Sequence, residues 1–211
     1  MAARGGMWLR AVELRISPVE PRFDYGHMKS IHGYLFQDVY DWAGQQRVGP
    51  DNRMTKEGPD VLNFAPGDPQ APVVAYGYYA GPQITEAVEH QYAALAKEQH
   101  LQGLGPEQFV ERLAEHWGEL NTIHAFREGN TRTQFIFFEQ LASDAGYLLD
   151  TTKFEPGQRL RDEFVLARFH NQATASTGRL ASVLSEAIST ERLVAESVST
   201  ATAGCVRWRT G

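Results

Sequence analysis

The run His124-Ala125-Phe126-Arg127-Glu128-Gly129-Asn130-Thr131-Arg132 concentrates more reactive chemistry than any other part of the 211-residue chain. Glu128-Gly129-Asn130-Thr131 reads as a short glycine-containing turn that feeds a helix. The unpaired N–H groups and positive end of such a helix favour a phosphate, and successive N–H groups of the turn can form an anion nest. Arg127 and Arg132 add charge for a polyphosphate. Glu128 beside that anion suits a Mg²⁺ bridging phosphate oxygens. His124 could take a proton from an incoming hydroxyl near neutral pH. Base, metal ligand, anion nest and cations together suggest nucleotidyl or phosphoryl transfer. Each has a plainer reading: a core histidine, an ordinary interhelical turn, a surface arginine. Their compression into nine residues ahead of a strongly apolar segment argues for the functional one.

That segment, Arg132–Ala145, carries Phe135, Ile136, Phe137, Phe138, Leu141, Ala142 and Ala145 nearly all round, as a buried central helix does, and Gly146 is its stop. Ahead of the run, Pro106 opens a helix with Phe109, Leu113, Trp117 and Leu120 on one stripe. Gln83–Gln99 repeats Ile84, Val88, Tyr92 and Leu95 at helical spacing, and Arg161–Gln172 and Leu180–Ile188 read as closing helices. Met28, Ile31, Leu35, Val39 and Trp42 predict an amphipathic helix from Asp24 to about Gly44. Between Arg47 and Gly81 lies a Gly/Pro/Asp/Asn-rich excursion with two β-prone pieces, Asp60–Ala65 and Val73–Tyr79, read as a hairpin flap. Residues 1–23 are poorly patterned, with Gly5-Gly6, Pro18 and Pro21 breaking any long helix. The expectation is one mainly α domain over 24–190, a helical bundle with a short β-hairpin flap, followed by a Ser/Thr/Ala-rich tail at 191–211 expected to fray.

Composition narrows the function. Hydrophobic residues make up 42% and charged residues 22%, an ordinary globular balance. The single cysteine, Cys205, excludes an internal disulfide and a cysteine-clustered zinc site, and suits a reducing cytoplasm. A net charge of −6 argues against a protein that coats nucleic acid, so no direct nucleic-acid contact is expected. No stretch has the length of a membrane span, and the start has no secretory h-region, so a soluble cytoplasmic protein is expected. GxxxxGK[ST], GxGxxG after a strand, GxSxG and HExxH are all missing, which removes the common nucleotide, hydrolase and metalloprotease signatures.

The run at 124–135 resembles the signature of the Fic family (Fic/Doc superfamily), HxFx[DE]GNGRxxR, matching at His124, Phe126, Glu128, Gly129, Asn130 and Arg132. Ile31-His32-Gly33-Tyr34-Leu35-Phe36-Gln37-Asp38-Val39-Tyr40-Asp41-Trp42-Ala43-Gly44 resembles a second family segment, and Phe137–Ala142 with Ala145-Gly146-Tyr147 extends the likeness. The resemblance covers about Phe23 to Ile188. It implies transfer of AMP from ATP to a Ser, Thr or Tyr hydroxyl of a target protein. His124 would be the general base and Glu128 the Mg²⁺ ligand. Asn130 and Gly129 would line the anion hole and Arg132 would contact the triphosphate, with Phe126 anchoring the loop. Residues about Lys56 to Tyr79 would be the flap that docks the target by strand addition, with Lys56 and Phe64 resembling flap residues.

Three departures accompany the matches. Thr131 stands where the family has a second glycine, and a β-branched residue resists positive φ and close phosphate approach. It either crowds the β-phosphate pocket or caps the helix and offers its hydroxyl. Doc, a relative with lysine there, is a phosphotransferase, so a Doc-like phosphoryl transfer and a catalytically silent nucleotide- or partner-binding protein are the alternatives. Phe135 replaces the motif's final arginine, a phosphate contact whose loss weakens a site by about 1.5–3 kcal/mol. Ala125 replaces the usual proline. Ser182 and Glu186 have the spacing of the family's inhibitory [ST]xxxE[GN] helix, but Ala187 follows, and the pair reads as part of a closing helix. The expectation is therefore a toxin-like protein controlled by a separate antitoxin, or one whose activity is already attenuated by Thr131 and Phe135.

Overall fold

The computed structural model describes residues 2–49 and 53–189; the tail expected to fray, with Cys205, lies outside the described residues. The chain runs α1 (Ala2–Ile16), α2 (Tyr25–Phe36), β1 (Arg53–Pro59), β2 (Val73–Ala80), α3 (Ile84–Lys97), α4 (Pro106–Ile123), α5 (Asn130–Asp144), β3 (Leu148–Leu149), α6 (Arg159–Thr174), α7 (Gly178–Ser185) and β4 (Ile188–Ser189). It is the mainly helical bundle with a β-hairpin that the apolar spacing predicts. Among the described residues no helix is long and apolar enough to cross a membrane.

The apolar α5 lies at the centre. Ile136, Phe137, Phe138, Leu141 and Ala142 are buried, and Phe138 stacks on Trp117 of α4 at 4.4 Å. Trp117 in turn meets Phe164 of α6 edge-on at 5.3 Å. α4 and α6 approach closely at Gly118, where an added Cβ would stand 2.3 Å from Asn171 Oδ1. α4 is thus packed between α5 and α6, and residues 124–129 form the turn that joins it to α5.

Four elements differ from the sequence reading. The closing helix expected over Leu180–Ile188 stops at Ser185, and Ile188 pairs instead with Leu149 in a second two-stranded sheet. Residues 2–16 form a helix despite Gly5-Gly6. Leu14 is 1% exposed in the core and Arg15 bonds Glu139 of α5 at 3.0 Å, so tertiary docking overrides weak local propensity. The segment expected as helix to Gly44 ends its helix at Phe36 and then turns back, so that Gly44 N–H donates to His32 Nδ1 at 2.8 Å. In those turns Tyr40 and Ala43 pack against the core and Trp42 lies against His32 and Tyr40. The first flap strand is Arg53–Pro59, not Asp60–Ala65. Asp60 Oδ1 accepts from the N–H groups of Leu62 and Asn63, making a turn of the piece that looked β-prone. β1 owes its extended form to antiparallel pairing with β2, Lys56 opposite Tyr76 and Glu57 opposite Ala75.

Burial carries a pH consequence. His27, His32 and His116 are 0–2% exposed, and desolvation lowers the pKa of each below the ordinary value. His124 is pushed down to about 3. The unfolded chain takes up protons near 6.5 and the native chain does not, so stability falls as pH drops from about 6.5 through the native values. His124 alone accounts for about 2 kcal/mol at pH 5. Urea midpoints at pH 7.5 and pH 5 measure this, and equal midpoints would refute it.

Candidate active site

The loop between α4 and α5 is built from its ends inward. α4 stops at His124, which adopts the left-handed conformation (φ 51°, ψ 58°). Arg47 enforces that stop. Its side chain is 4% exposed, and it donates to the carbonyls of His124 at 2.7 Å and Tyr79 at 2.6 Å, tying the loop to β2. Arg47 N–H completes the tie by donating to Ala125 O at 2.9 Å. At the other end Gly129 (φ 82°, ψ 0°) begins α5 in a conformation that L side chains rarely adopt.

The interior of the loop is held by side chains that the motif supplies. Asn130 is 4% exposed; its Oδ1 accepts from Phe126 N–H at 2.9 Å and its Nδ2 donates to Phe126 O at 2.7 Å. The Asn130 amide therefore clamps the loop backbone across Phe126. What the first turn of α5 offers an anion is main-chain N–H groups without helical partners. Phe126 is 2% exposed and stacks on His32 at 4.0 Å, which makes it the anchor of the loop. His32 Nδ1 accepts from Gly44, so Nε2 carries the proton and donates to Glu128 O at 3.0 Å. The second resembling segment is the cradle of the first.

His124 faces the flap. Its ring stacks on Tyr78 of β2 at 3.8 Å with an 18° tilt. Nδ1 is enclosed and unpaired; the Asn121 carbonyl is close enough to favour a proton on the ring, though outside hydrogen-bonding geometry for Nδ1. Nε2 is then the nitrogen left to accept from a substrate. Burial first, then the charges of Arg47, Arg168 and Lys56, depress the ring's pKa. The imidazole is neutral at any physiological pH.

The surrounding charge is positive. Arg168 of α6 is 8% exposed and donates through Nη1 to Thr131 Oγ1 at 2.8 Å and Asn121 Oδ1 at 3.1 Å. Lys56 of β1 is exposed and feels both Arg168 and Glu128. Glu128, also exposed, accepts through Oε1 from Gly129 N–H at 2.9 Å and from Arg132 at 3.0 Å. Arg132 lies over the Phe36 ring at 4.8 Å, and Arg127 over Trp42 at 5.7 Å. No group of three or more His, Cys, Asp or Glu capable of holding a metal occurs among the described residues. One exposed carboxylate fits a Mg²⁺ that arrives on nucleotide phosphates, which supply most of its ligands.

Thr131 needs none of glycine's freedom. It is the second residue of α5, outside the set with positive φ, and Gly129 rather than Thr131 is the N-cap. Its hydroxyl accepts from Arg168 and so points toward α6. Phe135, one turn on, packs against Trp117, Phe154 and Phe164. Glu186 pairs with Arg159 at 2.5 Å, nine residues and about 13 Å along α6 from Arg168. It closes the bundle and does not face the loop.

A family model described as Fic/DOC matches residues 22–142. The chain belongs to the Fic/DOC family. It is 37% identical over 157 residues to protein adenylyltransferase VbhT of Bartonella schoenbuchensis, covering 73% of this chain and 28% of that protein. It is 36% identical over 141 residues to the probable protein adenylyltransferase Fic of Salmonella typhimurium, covering 67% of this chain and 60% of that one. The chain thus spans less than two thirds of either relative. The BepC protein of Bartonella tribocorum, solved with bound AMPPNP, shares the fold at TM-score 0.69 and 22% identity over 89% of this chain and 85% of that one.

The loop residues 124–132 that sequence spacing singled out are brought together. His32, Arg47, Tyr78 and Arg168 were given no role. Arg168 left a trace: Leu160, Phe164 and Arg168 recur every four residues on the buried face of α6, where an arginine demands a partner. Tyr78 left none, because a strand residue's partner across the fold has no sequence spacing.

Proposed function

We propose that this Fic/DOC chain transfers AMP from ATP to a Ser, Thr or Tyr hydroxyl of a target protein. The observation that carries the reading is the placement of His124, stacked on Tyr78 of the flap, at one end of a loop whose other end opens the N-terminus of α5. The target oxygen bonds the α-phosphorus, the bond to the β-phosphate oxygen breaks, and pyrophosphate leaves. His124 Nε2 holds the hydroxyl proton as the new bond forms. The first-turn N–H groups of α5, with Gly129, Thr131 and Arg132, cradle the phosphates; Arg127, Arg168 and Lys56 add attraction. Mg²⁺ held at Glu128 would neutralise α- and β-phosphate oxygens. The adenylyltransferase names of the relatives and the AMPPNP of BepC support ATP as the donor.

The target docks on the flap. On β2 the carbonyls of Gly77 and Tyr79 are already taken by Gln172 at 2.6 Å and Arg47 at 2.6 Å. That favours β1, whose outer edge pairs with no described strand, as the edge to which a target segment adds. The helical placement of Thr131 avoids the φ strain that a β-branched residue would bring to a glycine position, and its hydroxyl is turned to Arg168, which speaks for AMP transfer over phosphoryl transfer. The proposed setting is the cytoplasm, with a toxin-like activity checked by a separate antitoxin.

The test uses purified protein, Mg²⁺ and a bacterial lysate, with ATP labelled at the α-phosphate in one tube and the γ-phosphate in another. Label from the α position on a protein band, lost in Glu128→Ala, is expected. Label from γ alone would replace AMP transfer by phosphoryl transfer. No label, together with no Mg²⁺-dependent ATP binding, would mean a silent site.

A further inference from the structure

Arg168 is a buried cation without an anion. Its side chain is 92% removed from solvent, and among the described residues no carboxylate pairs with it. Its Nε is enclosed and makes no hydrogen bond. Both bonds it does make use Nη1 and go to neutral oxygens, Asn121 Oδ1 in the interior and Thr131 Oγ1 at the start of α5. Burial lowers its pKa to about 10, with Arg161 adding to the push. A guanidinium kept in such a place costs free energy unless an opposite charge visits it. The groups near it are those of the active site: Thr131, Tyr78, His124 and Lys56.

The two helices set its place in register. On α5 Phe135 and Thr131 are one turn apart, and on α6 Phe164 and Arg168 are one turn apart. Phe135 meets Phe164 at 5.3 Å, and one turn nearer the start of α5 Thr131 meets Arg168. The guanidinium lies over the Phe164 ring at 4.9 Å, so the aromatic pair is its floor. An apolar Phe135 and a cationic Arg168 thus occupy successive layers of one interface, with the charge in the layer next to the helix start.

We infer that Arg168 is the phosphate-binding arginine of this site, supplied from α6 and aimed through Thr131 at the distal phosphates of the bound nucleotide, where the motif itself carries Phe135. The inference rests on the nucleotide reading above. Thr131 holds the guanidinium in place through its hydroxyl, so the two departures from the family motif belong to one arrangement. Asn121 fixes the other edge of the same Nη1. Lys56 on the flap adds a second, exposed cation near Arg168.

Calorimetric titration of the whole chain with ATP, AMP and inorganic tripolyphosphate in Mg²⁺ tests this. Arg168→Gln is expected to weaken ATP and tripolyphosphate roughly ten- to a hundredfold and to leave AMP within about threefold. Arg168→Lys keeps the charge and the packing if the glutamine variant does not fold; it should lose ATP several-fold with AMP unchanged. Equal weakening of ATP and AMP would make Arg168 structural, and no weakening would exclude it as a ligand. A wild-type chain that binds tripolyphosphate no better than sulfate would also overturn the inference. The two readings separate in the labelling assay. Normal AMP transfer by Arg168→Gln at limiting ATP removes Arg168 and keeps the activity. Arg168-dependent tripolyphosphate binding without AMP transfer removes the activity and keeps Arg168.

Discussion

His124→Ala should lose AMP transfer by roughly 10²- to 10⁴-fold while ATP affinity stays within about threefold, the pattern of a lost general base. The pH profile is the more searching part of the experiment. In the ligand-free chain burial and the charges of Arg47, Arg168 and Lys56 hold the imidazole near pKa 3. The acid limb of kcat/KM, which reports the free enzyme, should therefore lie well below 6.5. Triphosphate bound beside Arg168 and Lys56 cancels part of that repulsion and favours the protonated ring. The acid limb of kcat should then sit at higher pH than that of kcat/KM. The base would gain strength when the nucleotide arrives. A His124 titration near 6.5 in the free protein, followed by NMR, would contradict the geometry, and so would full activity in His124→Ala.

Gly129→Ala should be severely damaging, because it joins a steric clash to a left-handed backbone. The residue has φ 82°, and a Cβ there would stand 2.4 Å from Phe36 Cε2 and 2.5 Å from its Cζ. Phe36 is 1% exposed, packs on His32 at 4.7 Å and lies under the Arg132 guanidinium. The methyl therefore strains the backbone and displaces the ring that supports both the loop's cradle and a phosphate cation. Left-handed strain of about 1–2 kcal/mol and overpacking of about 1–3 kcal/mol combine to roughly 2–5 kcal/mol. Urea unfolding measures that loss, and activity below the transition should fall more than a hundredfold as the start of α5 shifts. Phe36→Leu combined with Gly129→Ala should recover part of the stability, because it removes the overlap and leaves the φ strain. Strict additivity of the two changes would mean that Phe36 is not the obstacle.

What could be read from residue order differs between elements for physical reasons. The helices α3 to α6 were legible because each buries one stripe, or nearly all of its surface, and the buried spacing is a local property. α1 was not: its glycines argue against a helix, and docking of Leu14 and Arg15 on other elements supplies what propensity lacks. β1 was misplaced because Arg53–Pro59, with Lys56, Glu57, Gly58 and Pro59, has little intrinsic β preference and is extended by its partner strand. In the site, the motif marks the loop, and the side-chain contacts that hold it appear only in the fold: Asn130 clamps the Phe126 backbone, and Phe126 packs on His32.

By itself the sequence determined a helical Fic-type domain and the position of its reactive loop, because the apolar periods and the nine-residue motif are contiguous in the chain. Only the tertiary structure decided what surrounds the loop. Arg47 pins His124 from a segment 77 residues earlier, Tyr78 covers the imidazole from the flap, and Arg168 reaches Thr131 from a helix 37 residues later. These contacts depend on how helices and hairpin pack, and the electrostatics of the site follow from them. A histidine of ordinary pKa becomes a neutral ring, and an interior arginine becomes a waiting positive charge, when burial raises the cost of charge and three cations share one small volume.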